Sequence, residues 1–114
     1  MEDEPDPGVA REKIADTARG MLARTLSFIE GARLINQLRW YAELPDLDPD
    51  VVPFVGIDDQ TDALPFGDVR KLWASDALAK IQPEIDRLER WAAEFGRPYC
   101  QRLIVRFGLS PSEP

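Results

Sequence analysis

The sequence contains no histidine. That absence removes the commonest general base, the usual zinc ligand and every nucleophile arrangement built on Ser–His or Cys–His. There is a single cysteine, Cys100, so an intramolecular disulfide is impossible and a multi-cysteine metal site is excluded. Set among Tyr99, Leu103 and Ile104, Cys100 reads as a buried structural thiol. Purely apolar runs are a few residues long, far below the roughly 20 that cross a bilayer, so no membrane association is expected. The first residues are acid and proline, not a basic patch followed by an apolar run. No signal peptide is therefore expected, and a cytoplasmic setting is the default. No G-x-S-x-G, G-x-G-x-x-G or Walker-type loop occurs. With neither a histidine base nor a phosphate cradle, an enzyme is not expected, and neither is a cofactor.

Bases are missing from one stretch in particular. Residues 43–68 hold Glu43, Asp46, Asp48, Asp50, Asp58, Asp59, Asp62 and Asp68 with no Lys or Arg. The first eight residues add Glu2, Asp3, Glu4 and Asp6. All 14 basic residues lie elsewhere, so the parts around the acidic stretch are mildly basic although the net charge is −7. Such a balance argues against nucleic acid as the main partner.

What is present is helical periodicity. Ile14, Ala18, Met21, Thr25, Phe28, Ala32 and Ile35 recur at steps of three and four, predicting one long or bent helix over residues 9–43. Ser27 and Glu30 have the spacing of a capping box, which offers a break there as the alternative. Gly20 and Gly31 are candidate sites of close packing or bending. Pro45 ends the element, and a connector follows to Gly67. Within it Val51–Ile57 is apolar enough to be buried, with Pro53 pointing to an edge strand or packed loop. Asp68 is a candidate cap for a short helix, Val69 to Trp73, and Ser75 for the next. Leu78, Ile81, Ile85, Leu88, Ala92 and Phe95 then form a heptad seam, with Pro83 predicting a kink and Gly96 a stop. Pro98 begins a last helix that closes at Gly108. The expectation is an all-α fold: a small bundle of three to five helices with one long packed acidic connector. Residues 1–8 and 109–114 read as disordered tails around a single domain over residues 9–108.

Carboxylates and aromatics are the remaining candidates for chemistry. Asp46, Asp48 and Asp50 match the first ligand positions of a calcium loop, but its sixth position is Val51 and its twelfth Ile57, where glycine and glutamate are required. Asp58, Asp59 and Asp62, joined by Glu30, offer a hard-cation site; local turn bonds and solvation are the simpler account. Arg33, Arg24 or Arg39 is placed to clamp the connector internally, an alternative to outward use of its acid. The outward reading makes Asp46, Asp48, Asp50, Asp58, Asp59 and Asp62 a partner-binding surface. Trp40 and Tyr41 would be its anchors and a basic protein its partner. A homodimer through the Leu78–Phe95 seam is a second possibility.

The runs Ser27-Phe28-Ile29-Glu30-Gly31-Ala32-Arg33 and Phe54-Val55-Gly56-Ile57-Asp58 carry a resemblance. With Thr61-Asp62, Leu64-Pro65, Gly67 and Val69-Arg70 to Trp73, the chain resembles a family of small bacterial proteins over residues 22–107. That family implies no particular activity. In size and acidity the chain is also similar to immunity proteins, which neutralise bacterial toxins by binding them. That likeness implies a non-enzymatic inhibitory partner.

Overall fold

The computed structural model describes residues 4–108, the side chain of Asp68 excepted. Four α-helices, α1 (Pro7–Ala23), α2 (Phe28–Tyr41), α3 (Val52–Thr61) and α4 (Ser75–Phe107), are joined by loops and one 3-10 segment, Gly67–Leu72. No strand occurs among the described residues, and the fold is the small all-α bundle expected. Residues 1–3 of the first expected tail and all of the second, 109–114, lie outside the described residues, as does the cap expected of Asp68. No helix of those described is long and apolar enough to cross a membrane.

The first helix starts two residues before Val9. Asp6 caps it by accepting the Val9 N–H at 2.8 Å, and Pro7 fills a first-turn position whose missing N–H costs nothing there. The single helix predicted over residues 9–43 is in fact two. Arg24 adopts the left-handed conformation at φ 66°, and the Thr25 and Leu26 N–H groups turn back onto the Gly20 carbonyl. Ser27 then caps α2 by accepting the Glu30 N–H, so the alternative drawn from the capping box is the observed one. The apolar phase runs through the break because α1 folds back on α2 and both present the same stripe to one core. Gly31 is the point of contact: a Cβ there would collide with the Sδ and Cγ atoms of Met21.

The Val51–Ile57 run is helical, neither edge strand nor loop. Pro53 lies in the first turn of α3, where no backbone donor is required of it. Phe54, Ile57 and Thr61 are the buried face, at three- and four-residue steps that the sequence already contains. Burial of side chains such as Phe54 and Ile57 stabilises the fold by about 2–3 kcal/mol each.

The largest correction concerns α4, one continuous helix of 33 residues that passes Pro83, as the unbroken phase there favoured, and runs on through Gly96 and Pro98. Both prolines are exposed, as are Ala79 and Glu94, whose carbonyls lose their helical donors. Water can satisfy those carbonyls, which lowers the cost that would end a buried helix. Gly96 does not stop the helix; its bare backbone is where Phe28, Phe54 and Ile57 pack, 3.3–3.4 Å from the position a Cβ would take. Ser75 is the first helical residue and makes no cap; Ala74 precedes it. Where a short α-helix from Val69 to Trp73 was expected, the chain forms the 3-10 segment Gly67–Leu72. At 1.5 Å per residue α4 spans about 50 Å and sets the 51 Å long axis of the molecule. Its middle holds α2 in place, since Glu89 accepts the Phe28 N–H at 2.7 Å and the Ile29 N–H at 3.2 Å. A carboxylate at a helix N-terminus is worth about 1 kcal/mol.

Candidate interaction surface

The connector aspartates divide into two sets. Asp48 is almost wholly buried, 3 % exposed, and Arg106 of α4 closes a two-pronged ion pair on it at 2.8 and 2.9 Å. Arg106 also reaches Asp50 at 3.0 Å, and Arg102 lies 3.6 Å from the other Asp50 oxygen. The Asp48 side chain accepts the Asp50 N–H, and its carbonyl accepts from Val51 and Val52, so the same residue shapes the entry to α3. Arg106 holds the Asp48 carboxyl below its ordinary value, outweighing the opposite push of burial.

Asp58, on α3, is the third inward member. It accepts the Asn36 amide at 2.8 Å and pairs with Arg33 Nε at 3.5 Å, both from α2. Arg33 continues with Nη2 to the Thr61 and Leu64 carbonyls and lies over the Phe66 ring at 5.2 Å. The internal clamp offered by Arg33 is thus formed, whereas Arg24 lies over Phe28 at 6.0 Å and takes no part. Arg39 bonds Asn36 at 2.7 Å without touching an aspartate.

Asp46, Asp59 and Asp62 are exposed and belong to neither clamp. Asp48, Asp50 and Asp58 were expected to join them outward, and they do not. The reason is the donors that α2 and α4 bring to the connector, the Asn36 amide and the guanidinium groups of Arg33, Arg102 and Arg106: a carboxylate among them gains charged contacts in place of those to water. Nor do the acids assemble around a cation. Among the described residues no group of three or more carboxylate or thiol ligands is placed to hold a metal. Glu30, the fourth suggested ligand, accepts the Ser27 hydroxyl.

Trp40 is 63 % exposed and Tyr41 is also at the surface. With Asn36 and Gln37 they line an open groove on the outer side of α2. A second groove, between α2 and Phe66, contains Glu30, Arg33 and Leu34 and shares Gln37. The Arg39 guanidinium lies 4.3 Å from the Trp40 ring centre. A chain of contacts therefore runs from Asp58 through Asn36 and Arg39 to Trp40. An inward aspartate and an outward aromatic are thus linked through two intervening side chains.

Two arginines that matter here, Arg102 and Arg106, were not singled out by sequence reasoning, nor was Asn36. The spacing of Arg102 and Arg106 by one helical turn was a visible signal, as was the two-residue spacing of Asp48 and Asp50. Nothing local joins the two pairs. Cys100 is fully buried with Sγ 3.9 Å from Met21 Sδ, and burial pushes its thiol up to about 12. It sits as the buried structural thiol that its apolar neighbours suggested.

Comparison with known protein families, curated proteins and solved structures gives no match. The resemblance carried by the Ser27–Arg33 and Phe54–Asp58 runs therefore rests on those residues alone.

Proposed function

We propose that the chain is a non-enzymatic, cytoplasmic protein-binding domain whose partner is a basic protein, in the manner of an immunity or inhibitor protein. The observation that carries this reading is Trp40, an exposed aromatic held by Arg39, itself bonded to Asn36 and through it to Asp58. Exposed tryptophans fixed in one posture lose little side-chain freedom on binding and act as anchors. The surface consists of Trp40, Tyr41 and Leu34 on the outer side of α2. The exposed acids Glu43, Asp46, Asp59 and Asp62 serve as its acidic rim in this reading. Rim acids of this kind steer a basic partner and raise the rate of encounter more than the final affinity. Asp58 backs the surface through Asn36, and neither it nor Asp48 and Asp50, which are held by α4, contacts the partner.

Affinity capture from the native host, with wild type and variants as bait, tests the reading. The product of the adjacent gene is the first protein to examine. Wild type should recover a basic protein that salt releases, and the Trp40→Ala/Tyr41→Ala variant should lose it. Asp46→Asn/Asp59→Asn/Asp62→Asn should slow its association and flatten the salt dependence. Equal recovery by wild type and the aromatic variant, or association that salt leaves unchanged, would overturn the proposal.

A further inference from the structure

The Leu78–Phe95 seam cannot serve as an interface as it stands, because Ile85 and Ala92 are buried in the chain's own core. One step around α4 lies a second row, Ile81, Glu84, Leu88, Trp91, Phe95, Pro98, Arg102 and Val105, at unbroken alternating steps of three and four. Ile81 and Leu88 are half-buried and the other six are exposed, Val105 by 71 %. Trp91 and Phe95 stack with ring centres 5.7 Å apart and planes 5° from parallel.

This row is complementary to itself. In an antiparallel pair of α4 helices with the two-fold axis level with Ala93, Trp91 meets the partner's Phe95 and Leu88 meets the partner's Pro98. Ile81 meets the partner's Val105. The only charged positions, Glu84 and Arg102, fall opposite each other, so that Glu84 faces the partner's Arg102 at both ends. Any other register or the parallel orientation separates these opposite charges or sets them against apolar residues.

We infer that the chain forms a two-fold homodimer through this face of α4, with Trp91 and Phe95 at the centre and two Glu84–Arg102 pairs at the ends. The occupant is a second copy because the apolar positions mirror one another about one point and the acid mirrors the base. Isologous pairing requires such an order, and an unrelated partner does not. Both end residues can be redirected. Arg102 contacts Asp50 at only 3.6 Å with its side chain mostly in solvent, and Glu84 pairs with Arg87 within its own exposed turn. The inference stands apart from the α2 surface, which involves none of these residues.

Sedimentation equilibrium of the full chain tests it. Wild type should be dimeric at about 100 μM, and Glu84→Arg or Arg102→Glu should each weaken association about tenfold or more by setting like charges at both ends. Circular dichroism should show both variants helical, since each changes an exposed residue. Mixing the two single variants should restore a dimer, because every end pair is then of opposite sign. A monomeric wild type, single variants that associate as tightly as wild type, or a mixture that fails to pair would each overturn the inference.

Discussion

Arg106 grips the carboxylate of Asp48, a residue 58 positions earlier in the chain, with both of its terminal nitrogens at 2.8 and 2.9 Å. The two ends of this pair are unlike. The Asp48 side chain is 2 % exposed, whereas that of Arg106 is 37 % exposed. Removing the arginine strands a buried charge; removing the carboxylate leaves a cation that water can reach.

Arg106→Ala should therefore cost about 2–3 kcal/mol and Asp48→Asn about 1 kcal/mol, the amide still being able to accept the Asp50 N–H. The double variant should cost less than the sum, by about 1–2 kcal/mol, as expected for groups in contact. Urea unfolding of the four proteins measures the cycle. Additive losses would mean that the pair contributes nothing.

The same pair sets an acid limb of stability. In the folded chain the Asp48 carboxyl lies below its ordinary value of 3.8, because Arg106 bonds to its charged form. The unfolded chain therefore takes up this proton at higher pH than the folded one. The contribution is complete above 3.8 and is lost as pH falls through the lower, folded value. Wild type should lose more stability than Asp48→Asn between about pH 5 and pH 2, and the two should run parallel above that window. Curves that stay parallel throughout would remove Asp48 from the acid response.

Two helical glycines should respond to alanine with opposite sign. Gly56, on the exposed face of α3, has no atom within 4 Å of the position a Cβ would take, so Gly56→Ala should stabilise by about 0.5–1 kcal/mol through helix propensity. Gly31→Ala gains the same propensity but drives a methyl group into Met21, which is fully buried. Its net effect should be a loss of about 1–2 kcal/mol. Shortening the obstacle with Met21→Ala should make the Gly31→Ala change far less costly. Thermal melting of the set decides the point, and two glycines behaving alike would mean that α1 and α2 do not meet at Gly31.

Much of this arrangement was legible in local pattern. The phase of Ile14 through Ile35 marked the core stripe, and Ser27 with Glu30 marked a helix start, although the phase alone favoured one helix over two. The pattern Phe54, Ile57, Thr61 was present but was outweighed by Pro53, whose place in a first turn removes the objection. At the surface Trp40 and Tyr41 are exposed as the outward reading requires, while half of the six aspartates assigned to that surface face inward.

By itself the sequence determined the helical periods of α1, α2 and α4, the apolar stripes they carry and how acid is concentrated between two more basic regions. These are properties of residues a turn or two apart, governed by backbone capping, helical period and side-chain solvation. Only the tertiary structure decided that Asp48 meets Arg106, that Asp58 is linked to Trp40 through Asn36 and Arg39, and that α4 continues past Gly96 and Pro98. Each of those outcomes depends on what a carboxylate or a freed carbonyl finds around it: an arginine from a distant helix in one case, water in the other. That surrounding exists only once the helices have packed.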